Sequence, residues 1–352
     1  MTKLEEKIRD SIKKNGFITI DSFMSTALFD KEDGYYIKKN PIGRNSDFIT
    51  SPEISVLFGE TLAAFIVKQI EDKLKNNQKI NLIEIGAGKG TLLNDILNFL
   101  SKFSDVYQKI NAYILEINPV LVEIQKQTLI NHSDKIKWLS DLTEIDSVSP
   151  HIYICNEFFD ALPVKQFVKQ GDQILERVIR LDEKNNFIFD AVATNPPEII
   201  INDLDDYEDK AIIEYSEDSV NFMRQICNAI FKHKGFAIIL DYGYADFVTG
   251  DTLQSIYQHE YNDIFKNIGD ADLTTHVNFR LLYHTAMNCG IKDLYLQTQA
   301  DFLNSMGISV RAENISGKLE EKEKNDLFMR VNRLINSTHM GTLFKCMVAE
   351  KF

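Results

Sequence analysis

Apolar residues recur at helical spacing through the first 75 residues or so. Leu4, Ile8 and Ile12 share one face of Leu4–Lys14, and the same periodicity predicts helices over Ile20–Ala27 and Ile54–Leu74. Between the last two lies a polar, glycine-containing stretch, Asp30–Pro52. It is long for a simple connection, and its aromatic and hydroxyl residues (Tyr35, Tyr36, Phe48, Thr50, Ser51) favour a functional loop. From Ile80 the pattern changes. Short apolar runs at INLIEIG (80–86), AYILEIN (112–118), KIKWLSD (135–141) and HIYICNEFF (151–159) read as strands. Helix-period segments follow the first two, at 91–103 and from Pro119 to about Ile130. Strands alternating with helices predict a mostly parallel, doubly wound α/β sheet. A helix around Ser219–Lys232 leads into a strand at Phe236–Asp241, and Leu343–Ala349 is placed to close the sheet. The segments 166–181 and 185–193 break this alternation and look like antiparallel hairpin strands. A second interruption, Asp246–Thr275, precedes a helix at Asn278–Met287.

Composition narrows the class. Of 352 residues 44% are hydrophobic and 26% charged, enough for a sizeable core. The balance of 39 basic and 52 acidic residues gives a net charge of −13, which argues against nucleic-acid binding, because that needs a basic footprint. Much of the excess lies in Glu198–Asp218, where nine acids face the single Lys210. That segment reads either as a solvated loop or as an acidic surface near a substrate entrance. Cys155, Cys227, Cys289 and Cys346 show no ligand spacing, so neither a metal site nor a disulfide framework is expected. No apolar run is long enough for a membrane span or a secretory signal, so a soluble cytoplasmic enzyme without membrane insertion is expected.

The turn after the first strand carries the chemistry: Glu84-Ile-Gly86-Ala87-Gly88-Lys-Gly90. A dinucleotide fingerprint would need glycine where Thr91 stands, and a phosphate-binding loop would need Ser or Thr where Gly90 stands. The pattern E-x-G-x-G-x-G instead resembles the first motif of class I S-adenosylmethionine (SAM) methyltransferases. Gly86, Ala87 and Gly88 would let backbone approach a ligand closely, and Glu84 could hold a cationic methionyl end, directly or through water. A purely structural turn is the competing reading. Glu116, with Ile117 beside it, ends the second strand, where an acid can bind both ribose hydroxyls; alone it would equally suit a helix start. Asp141 ends the third strand, in the place where methyltransferases often contact adenine.

The fourth strand runs into NEFFDALPV (156–164). This motif joins GYY (34–36), DFITSPEIS (47–55), FGE (58–60), EIGAGKG (84–90), DYGY (241–244), GDTLQ (250–254) and DLTTHVNF (272–279) in one order. Together they resemble the MidA-like family, which includes a mitochondrial complex I assembly factor that methylates a protein arginine. The resemblance runs from about Leu4 to Glu350. One position departs from it: Ser46 stands where a glycine is expected before Asp47-Phe48.

The resemblance implies a class I methyltransferase with a helical N-terminal region (1–75), whose loop covers the cofactor, and a catalytic domain (76–352) with insertions at about 165–215 and 246–275. It implies SAM as cofactor, S-adenosyl-L-homocysteine as product, and a protein substrate, an arginine-containing respiratory-complex subunit. It supports Gly86, Gly88, Glu116, Asn156 and Glu157 as cofactor or active-site positions, with Ser51 and Pro52 covering the pocket. Arginine chemistry needs carboxylates to orient the guanidinium. Glu157 leads, with Asp160 or Asp241 as second acid, although Asp160 could equally cap a turn. His276 is expected either to take a proton or to hold a loop backbone. Phe158 and Phe159 are candidates for pocket walls. Thr194-Asn-Pro-Pro-Glu198 reads as a turn. Two other functions fit the same residues: a SAM-binding assembly chaperone and a small-molecule methyltransferase. The sequence also leaves room for a homo-oligomer.

Overall fold

The structure, a computed structural model, describes residues 2–38, 50–145 and 148–352. Its centre is a sheet of seven long strands: β1 (Ile80–Ile85), β2 (Ile110–Leu115), β3 (Ile136–Leu139), β4 (His151–Asn156), β5 (Gly235–Tyr244), β6 (Asp293–Thr298) and β7 (Phe344–Lys351). Their spatial order is β3-β2-β1-β4-β5-β7-β6. The first five run parallel, and β7 lies antiparallel between β5 and β6. Strands β1 and β4 are buried along their whole length, which explains their unbroken apolar runs.

Helices cover both faces. We label those that position the site α1 (Lys3–Asn15), α2 (Ile20–Phe29), α3 (Val56–Gln69), α4 (Thr91–Leu100), α5 (Pro119–Thr128), α6 (Glu217–His233) and α7 (Phe279–Asn288). On one face Leu62 and Ile66 of α3 and Leu93 and Ile96 of α4 join Leu82, Ile114 and Ile154 in one core. On the other, Met223 and Ile226 of α6 and Leu282 of α7 join Ile83, Tyr153 and Ile239. Each such side chain contributes about 1.5–3 kcal/mol relative to exposure. The alternation read from the sequence is therefore a doubly wound sheet. Strand β6 has no counterpart in that pattern, because it is an edge strand whose residues are only partly buried.

The insertions form two smaller sheets. Lys165–Gln170, Gln173–Leu181 and Phe187–Ala193 make the expected antiparallel strands, and Ile18–Thr19 and Ile212–Tyr215 complete a five-stranded sheet. Gln254–Tyr257, Glu260–Asn262 and Asp272–Thr274 form the other. The N-terminal stretch divides between two cores. Leu4, Ile8, Phe23 and Met24 pack against Ile179, Ile268 and Leu273 of the insertions, whereas Leu57–Leu74 belongs to the main sheet. Residues 39–49 of the expected covering loop, with Ser46, Asp47 and Phe48, lie outside the described residues. Its described flanks are two short helices, Tyr35–Lys38 and Ser51–Ile54.

Candidate active site

The carboxyl ends of β1, β2 and β4 open on a cavity of about 370 Å³. Parallel sheets present their ligand crevice at this edge. The turn leaving β1 requires glycine: Gly86, Gly88 and Gly90 have φ of 69°, 53° and 79°. A Cβ on Gly86 would also stand 3.0 Å from the Phe158 ring, so the bare backbone there is part of the cavity wall. Ala87 is buried within the turn, and its carbonyl accepts the Gly90 N–H. Glu84 lies beneath the turn and outside the cavity lining. Its carboxylate accepts the Leu93 N–H at the start of α4, and burial pushes its pKa up to about 8. The other oxygen, Oε2, is buried without a hydrogen-bond partner.

Glu116 lines the cavity at the end of β2. Its Oε1 accepts the Asn118 N–H (2.9 Å) and its Oε2 accepts from Gln125 Nε2 (3.0 Å). Gln125 also donates to the Gly88 carbonyl (2.8 Å) and is itself fixed by Trp138 Nε1 (2.9 Å). One glutamine thus ties the glycine turn to the acid. Burial pushes the pKa of Glu116 up, and these donors act against it. Ile117 lines the cavity from the solvent side, 57% exposed. Asp141 takes another place: it caps the short helix Leu142–Glu144 through the Thr143 N–H and hydroxyl and does not line the cavity.

Across the cavity, β4 ends in Asn156 and Glu157. Glu157 holds φ 49°, a left-handed conformation uncommon outside glycine, and its N–H donates to the Leu240 carbonyl (2.8 Å). Its Oε1 accepts from the Ser51 N–H (2.8 Å) and Asn156 Nδ2 (3.3 Å). Burial, with the charge of Asp160 adding to it, raises its pKa to about 7. Asn156 Oδ1 is buried without a partner. The Ser51 contact draws the covering segment onto the fourth strand. Glu53 draws it onto the glycine turn, accepting from Thr91 Oγ1 at 2.7 Å with Lys89 Nζ 4.0 Å away. Pro52 is buried between these ties, and Thr50 reaches the lining.

The remaining expected residues separate. Asp160 lines the cavity, and burial lifts its pKa to about 6. Asp241 is wholly buried behind the lining and binds backbone amides instead of facing the cavity. His276 lines a separate small cavity, its backbone N–H bonded to Thr252 Oγ1 and its ring edge-on to Tyr242. Burial lowers its pKa. Phe158 walls the main cavity against Phe222, while Phe159 is core.

Three further lining residues lie in stretches the sequence marked without giving them a role in the site. Tyr36 lines the cavity, donates its hydroxyl to Asp272 Oδ2 (3.0 Å), and accepts Asn118 Nδ2 at its carbonyl (2.6 Å). Asp272 and Asp218 line the cavity with it. The acidic stretch is thus both things read from it: Asp218 faces the cavity, while Asp205, Asp206, Glu208 and Asp209 are solvated. Thr194–Glu198 connects a strand to a short helix, as a turn should. Among the described residues, no group of three or more His, Cys, Asp or Glu is arranged to hold a metal, and no helix is long and apolar enough to cross a membrane.

The acids Glu116, Glu157, Asp160, Asp218 and Asp272 are joined in the lining by Tyr36, Phe158, Phe222 and Tyr242, and no described Lys or Arg lines it. Acids and aromatic faces suit a cation. The chemistry of the lining fits SAM: bare backbone at Gly86 and Gly88 forms one wall, Glu116 faces the cavity at the end of β2, and the acids and aromatic faces meet a cationic ligand.

Comparison with known proteins agrees. Residues 61–296 match a family of S-adenosyl-L-methionine-dependent methyltransferases. A rat protein is 30% identical over 98% of this chain and 83% of its own length, and a human one 29% identical over 98% and 82%. Both are named protein arginine methyltransferase NDUFAF7, mitochondrial. A Burkholderia thailandensis structure with bound S-adenosyl-homocysteine superposes with TM-score 0.86 at 25% identity, covering 99% of this chain and 92% of that one. The relatives' mitochondrial names overturn the cytoplasmic expectation. That expectation rested on the lack of an apolar leader, whereas mitochondrial addresses are basic and amphipathic. The chain belongs to the SAM-dependent methyltransferase family and, with SAM as its cofactor, is a class I enzyme of that family.

Proposed function

We propose that this methyltransferase acts on an arginine side chain of a protein. The observation that carries the reading is the acceptor half of the cavity, where Glu157 and Asp160 stand beside aromatic walls with no described basic residue in the lining. The names of the rat and human relatives support it. A guanidinium is planar, always charged and poorly nucleophilic. Glu157, steadied by Ser51 and Asn156, can accept two of its N–H groups and leave the third nitrogen facing the cofactor. When bound, SAM supplies a methyl group on a positively charged sulfur, which keeps the carbon–sulfur electron pair as S-adenosyl-L-homocysteine forms. Phe158, Phe222 and Tyr36 exclude water from that line. The methylated guanidinium must then lose a proton, and Glu157 and Asp160 are nearer to it than His276, which belongs to the smaller cavity.

The test is Glu157→Gln, which keeps shape and removes charge. SAM affinity should hold while single-turnover methylation of an arginine peptide falls about 10²- to 10³-fold. Normal turnover, or loss explained by failed SAM binding alone, would overturn the role. The substrate we favour is a respiratory-complex subunit. Mass spectrometry of such subunits after incubation with enzyme and labelled SAM tests it, with an added 14 Da on an arginine as about the expected change.

A further inference from the structure

Asp241 lies one layer behind the acceptor wall and is fully buried. Its Oδ2 accepts three successive backbone N–H groups, from Phe158 (3.2 Å), Phe159 (3.0 Å) and Asp160 (3.2 Å). Its Oδ1 accepts the Tyr242 N–H at 2.9 Å. Consecutive amides converging on one oxygen form an anion-binding concavity, and here the anion is supplied by the protein. The loop so gathered begins at Glu157, in its left-handed conformation, and carries Asp160, so both acceptor-side acids hang from one buried carboxylate.

We infer that Asp241 is a positioning residue for methyl transfer: it fixes the loop that presents Glu157 and Asp160. The inference rests on the acceptor-site reading above. Every hydrogen bond given for its carboxyl oxygens comes from a backbone N–H, so the loop is shaped around those oxygens as acceptors. Burial, with the like charges of Asp160 and Glu157 adding to it, pushes the pKa of Asp241 well above the ordinary carboxylate range, and the Asp160 and Tyr242 amides act against it. The other groups around it are few. Cys155 on β4 is a buried thiol, Tyr242 is a phenol on β5, and His276 stands against the Tyr242 ring. Lys345 on β7 pairs with Asp241 in register, but its Nζ donates to the Thr342 and Leu343 carbonyls. Glu157 and Asp160 are the acids whose charges bear on Asp241.

Two variants test the anchor. Asp241→Asn keeps the size but replaces one acceptor oxygen with a donor group. Asp241→Glu keeps both oxygens, but its extra methylene cannot meet all three amides. Amide hydrogen exchange over residues 156–162, in protein bound to S-adenosyl-L-homocysteine, should quicken at least tenfold in both variants. Affinity for that ligand should stay within about threefold of the unsubstituted protein. Turnover of an arginine peptide should fall at least 30-fold in both. The KM for SAM should stay within about threefold in both variants, so that the loss falls on kcat. A purely structural residue would not confine the loss to kcat. Unchanged loop exchange with unchanged turnover in either variant overturns the inference, as does turnover lost only through failed ligand binding. Should Asp241→Asn not fold, Asp241→Glu carries the anchor test alone. If the unsubstituted enzyme methylates no arginine peptide, the proposed function fails, and loop exchange still decides the anchor.

Discussion

A carboxylate among other buried carboxylates keeps its proton to higher pH, and that sets the working range of the acceptor site. Burial holds Glu157 at about 7 and Asp160 at about 6. In the role proposed for them both must be charged to orient a guanidinium, so kcat/KM for an arginine peptide should rise through pH 6 to 7 and level above it. An acid limb near pH 4, the ordinary carboxylate range, would show that neither acid is needed in its charged form. Beside Phe158, Gly86→Ala forces a side chain into φ 69° with its Cβ 3.0 Å from that ring. Left-handed strain costs about 1–2 kcal/mol, so SAM affinity should drop roughly 5- to 30-fold, measurable by calorimetry. The sequence drew attention to Gly86, Gly88, Glu116, Asn156 and Glu157 because each sits where a strand meets its loop, and all but Asn156 line the cavity. It concealed Gln125, which ties Glu116 to the glycine turn from α5, and gave no role to Asp218 at the start of α6 or Asp272 in the second insertion, which line the cavity. Asp141, Asp241 and His276 stood in conspicuous motifs, but motif membership does not say which way a side chain turns.

Asn118 shows how elements are joined around the cofactor edge. Its Oδ1 accepts the Val120 and Leu121 N–H groups as the cap of α5, its N–H goes to Glu116, and its Nδ2 holds the Tyr36 carbonyl. Asn118→Ala should lose about 1 kcal/mol of stability from the cap. It should also free the Tyr36 segment, raising the KM for SAM without a matching fall in kcat. A stability loss with an unchanged KM would confine Asn118 to the helix. The main sheet was readable from its alternation of strands and helices, since parallel strands buried on both faces give continuous apolar runs. The residues between α7 and β7 were not. Strand β6 is half exposed, and the helices beyond it pack through short apolar stretches such as Phe302 and Leu303. Nor could periodicity tell that α1 and α2 pack on the insertions, because an amphipathic face does not name its partner.

For the whole molecule, buried acids couple folding to pH. Glu84 is held at about 8 and Glu157 at about 7, both far above unfolded carboxylates. The folded chain therefore keeps protons that the unfolded chain has already lost. Stability from these groups is present at low pH and declines as pH rises through 7 and 8. A tenfold difference in proton affinity between folded and unfolded chain corresponds to about 1.4 kcal/mol. Much of Glu84's contribution is lost between pH 6.5 and 8.5, so the ligand-free protein should lose about 2 kcal/mol over that window. Buried His132 and half-buried His276 act in the opposite sense, but their pKa values are lowered, so their titration falls mainly below it. The net charge of −13 also disfavours the compact state as pH rises. Salt separates the two contributions, because surface repulsion is screened at about 0.5 M whereas buried titration is not. Urea unfolding at pH 6.5 and 8.5, with and without added salt, is the measurement. A difference that vanishes in salt would assign the pH dependence to the surface. One that persists, and shrinks in a Glu84→Gln variant, would place it at the carboxylate beneath the glycine turn.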